Sequence, residues 1–310
     1  MMQQPPHIPI MVDAVVNHLL TDKNGIYLDG TTGFGGHASA IMEKLNPTGT
    51  YIGLDADPYA LEYAKKRLSV HAAFCALHHV NYRYFPEVLA SMEIPQVTGL
   101  FFDIGISSYQ IDSGDRGFSF QSDSPLDMRF DTSSGESARH FLNSSEFKEI
   151  GMVIRNYGEE RNWKRITRAI VNAASKGEME TTFHLKAAVE SVTHQNFETK
   201  TLARVFQGIR IHVNGELDSL EMALESSIDC LKPGGRIGVI SFHSLEDRIV
   251  KRFFKKQAIT CTCSREIPVC VCDTKPNLKL VSRKAIVADA EEVAINPRSR
   301  SAKFRVAERV

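Results

Sequence analysis

Ile26-Tyr-Leu-Asp-Gly-Thr-Thr-Gly-Phe-Gly-Gly-His37 is the stretch that decides how the chain folds. Ile26 to Leu28 are apolar and suit a short buried strand, with Asp29 at its end. Gly30, Gly33, Gly35 and Gly36 crowd the next seven positions. Ala38, Ile41, Met42 and Leu45 then recur at helical spacing. Strand, glycine turn and helix open a doubly wound α/β domain. Glycines there permit a sharp turn and the close approach of a ligand.

Two ligand classes suit such a turn. Gly33-Phe-Gly35-Gly-His-Ala38 fits the G-x-G-x-x-A fingerprint of dinucleotide sites. S-adenosylmethionine sites place an acid and spaced glycines at the same point. Asp29 and the long turn favour the second class. That cofactor offers an ammonium to a carboxylate and no phosphate to a helix N-terminus. A glycine turn that binds nothing is the bland alternative.

Around this stretch the chain alternates strands and helices. Met11 to Leu20 reads as a helix. Tyr51-Ile-Gly-Leu-Asp55 reads as a second strand, and its terminal acid lies about 20 residues past the glycines, where a carboxylate meets a ribose diol. Asp57 before Pro58 is the better candidate to cap the helix Tyr59 to Leu68. Ala73 to Leu77 reads as a third strand running into His78 and His79, with Asn81 and Tyr82 beside the position an adenine takes in this architecture. A metal on His78 and His79 lacks a third ligand nearby. Thr98 to Asp103 is a fourth strand, so three strands end in Asp29, Asp55 and Asp103, facing the crevice where such sheets bind ligands.

Ile104 to Asp131 has neither period and is long for a structureless loop; its aromatics and arginines suit a lid. Helices are expected over Glu146 to Asn156, Glu159 to Ala174, Thr182 to Val192 and Thr199 to Val213. One of them carries Arg161, Trp163, Lys164, Arg165 and Arg168, either a solvated face or a surface for nucleic-acid phosphates. The α/β pattern resumes with a helix from Glu216 to Leu231, a turn at Pro233-Gly-Gly and a strand from Arg236 to Phe242. Next comes a helix with Arg248, Lys251, Arg252, Lys255 and Lys256. Leu278 to Ile286 and Lys303 to Ala307 complete a sheet of seven strands. The expected organisation is 1–110 and 214–310 as the α/β domain, and 111–213 as loop and helical insertion on the substrate side.

Composition limits the function. Of 310 residues, 43% are hydrophobic, enough for a sizeable core. Lys+Arg and Asp+Glu both number 37, so a polyanion site must be a local patch and not a property of the whole chain. No apolar run approaches membrane-spanning length, and Met1-Met-Gln-Gln does not resemble a signal peptide, so a soluble cytoplasmic protein is expected. Cys75 and Cys230 stand alone in apolar patterns and suit core thiols. Cys261, Cys263, Cys270 and Cys272, within the Cys-rich segment 261–272, form two C-x-C pairs that suit either one zinc or free thiols in a surface loop.

Longer motifs carry a resemblance. Asp29 to His37, Asp103-Ile-Gly-Ile-Ser-Ser, Arg116-Gly-Phe-Ser-Phe, Pro125-Leu-Asp-Met-Arg, Tyr157-Gly-Glu-Glu-Arg161, Arg168-Ala-Ile-Val, Ser241-Phe-His-Ser-Leu-Glu-Asp-Arg248 and Asn296-Pro-Arg-Ser-Arg-Ser together resemble the small-subunit rRNA methyltransferase H (MraW) family, from about His7 to Arg309. The resemblance implies a Rossmann-like class I S-adenosylmethionine-dependent methyltransferase with a mostly parallel seven-stranded sheet and an inserted all-helical domain. The implied activity is N4-methylation of one cytidine, cytidine 1402, in the decoding region of bacterial 16S rRNA, with the small ribosomal subunit as partner. By the same resemblance, cofactor contacts fall on Gly35, Gly36, His37, Asp55, Tyr82, Asp103 and Gln110. Tyr82 stands where relatives often have Phe.

Cytosine N4 is a poor nucleophile because its lone pair is delocalised into the ring. It needs in-line placement against a methyl sulfonium and an acceptor for its proton. Many amino-methyltransferases carry a D/N-P-P-Y/F motif after the fourth strand. This chain has Asp103-Ile-Gly-Ile there, so Asp103 is the candidate acceptor without that motif's support. An NAD-dependent oxidoreductase and a nucleoside-binding module remain open on the residues alone.

Overall fold

The computed structural model describes residues 8–106, 114–263 and 272–310. The chain forms two compact units, Met1–Gly105 with Asp218–Val310, and Ile106–Leu217.

The first unit is built on one sheet. Its strands are β1 (Ile26–Asp29), β2 (Thr50–Asp55), β3 (Phe74–His79), β4 (Val97–Asp103), β5 (Leu231–Ser241), β6 (Leu278–Leu280) and β7 (Lys303–Arg309), in the order β3-β2-β1-β4-β5-β7-β6. Strands β1 to β5 pair in parallel, and β7 runs antiparallel between β5 and β6. This is the seven-stranded, mostly parallel architecture expected from the sequence.

Parallel strands covered on both faces need apolar side chains at successive positions. In β4, Val97 to Phe102 are all buried and only the terminal Asp103 reaches partial exposure. Helices α1 (Val12–Leu19), α2 (Gly36–Lys44), α3 (Pro58–Leu68) and α4 (Phe85–Ser91) belong to this unit. Gly35 precedes α2 at φ 76°, a backbone that a side chain would strain. Gly30 is needed for space: a Cβ there would sit 2.5 Å from Phe102 Cε1 and 2.7 Å from Tyr82 Cβ. Asp57 caps α3 as expected, its Oδ1 accepting from the Tyr59 amide at 3.1 Å with Pro58 in the first turn.

The second unit packs α5 (Ala138–Ser144), α6 (Phe147–Asn156), α7 (Trp163–Ala174), α8 (Thr182–Glu190) and α9 (Glu198–Asn214) around Phe141, Ile150, Ile154, Ile166, Ile170 and Phe206. Near its end Arg210 holds Glu216 through two bonds of 2.8 and 2.9 Å, with Glu216 only 5% exposed. α10 (Glu216–Cys230), α11 (Ser244–Gln257) and α12 (Ala290–Ile295) complete the helices described.

Several elements depart from the sequence expectation. α7 starts at Trp163, not Glu159. Glu159 takes a left-handed φ of 50°, and Gly158 is packed so that a Cβ would meet the Arg204 carbonyl at 2.6 Å. Arg161 therefore precedes the helix. β3 continues through His78 and His79, because these residues extend its ladder against Leu54 and Asp55 of β2. Leu278 to Ile286 is not one strand. β6 ends at Leu280, Ser282 turns back to donate to the Lys284 carbonyl, and Ile286 returns as an isolated bridge to Phe304. Pro233-Gly-Gly lies inside β5, as a bulge where the β4 pairing jumps from Leu231 to Arg236.

The described part of the long loop, from Gly114 onward, is not loose. Phe118, Leu126 and Met128 enter the core of the helical unit, and the Leu126 amide donates to the Glu180 carbonyl at 3.1 Å.

Candidate active site

The C-terminal ends of β1, β2 and β4 bring the three terminal acids together. Asp29 is 1% exposed. Its Oδ2 accepts from the Tyr51 hydroxyl at 2.8 Å, and its Oδ1 accepts from the Thr31 amide at 2.9 Å. Both oxygens are thus engaged within the protein, so Asp29 braces the glycine turn. Asp55 reaches back to the same turn, with Oδ2 accepting from the Gly33 amide at 2.7 Å and Oδ1 from the Asp57 amide at 2.8 Å. The Asp103 amide donates to Thr31 Oγ1 at 2.6 Å, which ties the end of β4 to the turn as well.

Asp103 differs from the other two. Its Oδ1 is buried and has no hydrogen-bond partner. Its Oδ2 lies 3.7 Å from His37 Nδ1. His37, 6% exposed, places Nε2 at 2.7 Å from the Ile10 carbonyl. A carbonyl can only accept, so Nε2 carries a proton toward Ile10, and Nδ1 is the ring nitrogen on the Asp103 side.

Electrostatics follow from this crowding. Burial pushes Asp29 and Asp55 up to about 6, against backbone and side-chain donors that pull them down. Burial, then the charges of Asp29 and Glu246, push Asp103 up to about 8. Glu246 is fully buried at the start of α11, its Oε2 accepting from the Phe242 amide at 2.8 Å. Like charges gathered out of water disfavour ionisation. A crevice of this kind is relieved by a cation. A ligand carrying ammonium and sulfonium groups supplies positive charge, and a dinucleotide pyrophosphate supplies the opposite sign.

The remaining expected contacts are placed as follows. Gly35 and Gly36 form the turn into α2, and a Cβ on Gly36 would meet Pro9 Cβ at 2.8 Å. Tyr82 stands in a short 3-10 turn with its ring 5.4 Å from that of Phe102. Gln110 lies outside the described residues. Thr31, Tyr51 and Glu246 were not singled out from the sequence as site residues. Glu246 gave one signal, its place three residues after His243 in the quoted Ser241 to Asp247 motif. There His243 and Glu246 form a capping box. The next residue, Asp247, holds Lys303 at 3.0 Å and Arg305 at 2.7 Å, which lowers its own titration and anchors α11 to β7.

In the cysteine segment, sulfurs of Cys261, Cys263 and Cys272 lie within 4.8 Å of one another, and Cys261 and Cys272 are 3.8 Å apart. Cys270 lies outside the described residues.

Sheet order, glycine turn and acid-lined crevice place the chain in the Rossmann-like methyltransferase class. Comparison with known proteins makes this particular: the chain belongs to the MraW methylase family, whose sequence model matches residues 4–310. A relative from Syntrophotalea carbinolica is 43% identical over 307 residues, covering 98% of both chains. One from Geobacter sp. strain M21 is 44% identical with the same coverage. One from Caldicellulosiruptor bescii is 43% identical over 98% of this chain and 99% of its own. Each of the three is named ribosomal RNA small subunit methyltransferase H.

Proposed function

We propose that the protein methylates the exocyclic N4 of one cytidine, cytidine 1402, in 16S rRNA of the small ribosomal subunit, using S-adenosylmethionine in the cytoplasm. The observation that carries the proposal is membership of the MraW methylase family, with relatives at 43% and 44% identity over 98% of the chain that are named for small-subunit rRNA methylation. No described helix is long and apolar enough to cross a membrane.

The cofactor supplies an electrophilic methyl group on a sulfonium. Gly35, Gly36, His37, Asp55, Tyr82 and Asp103 would hold it, with Gln110 a further contact by family resemblance. The fit rests on charge. Three carboxylates with raised titration ask for a cation, and Asp103 Oδ1 lacks a donor. Asp103 serves as acceptor for the proton that leaves N4, with His37 Nδ1 3.7 Å from its Oδ2. The target base must leave its stack to be reached. The helical unit takes the RNA side.

Tritium from methyl-labelled S-adenosylmethionine is expected in 16S rRNA when the protein is incubated with small-subunit particles. Nuclease digestion should recover it as N4-methylcytidine. Label on another base, or tight NAD binding in calorimetry with no S-adenosylmethionine heat, overturns the assignment.

The cysteine cluster is a separate, structural part of the proposal. Zinc–sulfur bonds of ~2.3 Å in a tetrahedron separate sulfurs by about 3.8 Å. That matches the Cys261–Cys272 separation of 3.8 Å. Protein prepared without chelator should contain about one zinc per chain by elemental analysis. A content far below this, together with reactivity of all four thiols toward a thiol reagent, assigns them as free.

A further inference from the structure

The helical unit contains a cavity of about 680 Å³ lined by α7, α8 and the connection between them. The sequence placed Arg161, Lys164, Arg165 and Arg168 on one helix, as a solvated face or a surface for phosphates. The structure divides them. Lys164 lies over the Trp163 ring, with its Nζ 5.5 Å from the ring centre, and Arg161 precedes the helix. Arg165 and Arg168 line the cavity, where Lys176 and His184 join them.

Helical spacing explains the grouping. Arg168 and Ala169 lie three and four residues after Arg165, and Asn172 and Ala173 lie four residues after each of those, so the five share a face. The opposite face of α7 carries Ile166 and Ile170 into the core. Ala169 and Ala173 of α7 line the cavity with Ala187 and Ala188 of α8, and these small side chains leave a hollow along the seam where the two helices pack. The result is a trough with an alanine floor and a cationic rim. Arg165, Arg168 and Lys176 have no ion-pair partner among the described residues, and Glu178 is the acid beside them. Three exposed cations spread along one trough, with Glu178 as the acid among its lining residues, make a local positive strip that favours binding a polyanion.

We infer that this trough holds the phosphodiester backbone of the RNA substrate. Consecutive phosphates sit on Arg165, Arg168 and Lys176, and ribose lies on the alanine floor. From Arg165 to the end of α7 at Ala174 the span is roughly 14 Å at 1.5 Å per residue, with Lys176 in the turn beyond, enough for more than one phosphate of one strand. A single free phosphate would use only part of it. Contacts of this kind position the nucleic acid without reading its sequence. The inference rests on the rRNA-methylation reading and adds where the substrate is gripped.

The test measures anisotropy of a labelled decoding-region RNA hairpin across a salt series, for wild type, Arg165→Ala/Arg168→Ala and Arg165→Lys/Arg168→Lys. The alanine pair should bind at least tenfold more weakly at low salt. Its log–log salt slope should be smaller by about two, since two fewer phosphates are neutralised. The lysine pair should recover most of both. Inorganic phosphate at millimolar concentration should compete poorly, because it fills one position of several. Calorimetry with S-adenosylmethionine should be the same for all three proteins, which shows that the variants are folded. Wild-type affinity and slope in the alanine pair overturn the inference. So does loss of binding to small-subunit particles with hairpin binding intact, which would assign the trough to a ribosomal protein. Methyl transfer by the wild type, measured in parallel, separates these outcomes. If the wild type methylates particles while the alanine pair binds RNA normally, the trough fails and the enzyme reading stands.

Discussion

Asp103→Asn should abolish most methyl transfer while leaving the protein folded. In single turnover at saturating cofactor and substrate, the rate is expected to fall by about 10²- to 10⁴-fold, the usual contribution of a positioned proton acceptor. The substitution keeps the size of the side chain and removes its ability to take a proton. Asp103 suits the role by position and by environment. The backbone at the end of β4 is fixed by the bond to Thr31 Oγ1, so the carboxyl cannot swing far. Its Oδ1 faces no internal donor. Its proton is held up to about pH 8 by burial and by Asp29 and Glu246. An acceptor must first be ionised, and a cation within ~4–6 Å lowers a carboxyl by 1–3 pKa units. Binding of a positively charged ligand therefore prepares the group that the reaction uses. A normal single-turnover rate at saturation, with only cofactor affinity reduced, would show that Asp103 serves binding alone.

The sequence showed some of this and hid the rest for physical reasons. The strand, turn and helix from Ile26 to Lys44 were readable because glycine density and apolar spacing are both local signals. The acids at the ends of β1, β2 and β4 were readable because a buried strand that stops on a carboxylate is a local contrast. What each acid touches was not. Asp55 binds the Gly33 amide across 22 positions, and Asp29 receives a hydroxyl from Tyr51 across the same separation. Such pairs depend on the parallel register of β1 and β2, in which Asp29 lies beside Gly53. Glu246 acts on Asp103 from far along the chain, and no periodicity reveals that. The late start of α7 was hidden too. Glu159 reads as an ordinary helix former, and only the packing of Gly158 against α9 breaks the helix there. The trough beside α7 required knowing that α8 lies opposite with alanines facing it.

S-adenosylmethionine should bind more tightly as pH rises, because the crevice must release protons to accept a cation. Asp29 and Asp55 titrate at about 6 and Asp103 at about 8 when folded, all above the ordinary carboxyl value of 3.8. Raised groups favour the folded state below the unfolded value. They withdraw that stability as pH climbs through about 6 for Asp29 and Asp55 and about 8 for Asp103. The unliganded protein should accordingly lose thermal stability from pH 5 toward pH 8. A bound cation favours the ionised forms and offsets that loss. For Asp103 alone, linkage from a value near 8 to one well below 6 strengthens binding roughly 20-fold between pH 6 and pH 7.5. Calorimetry in buffers of different ionisation heat should show a proton released at pH 7. S-adenosylhomocysteine keeps the ammonium and lacks the sulfonium charge, so its affinity should depend less on pH. Asp103→Asn should flatten the profile for S-adenosylmethionine toward that of the neutral sulfur analogue. Affinity that is constant or falls over this range, with no proton release, would mean that the cofactor does not meet Asp103.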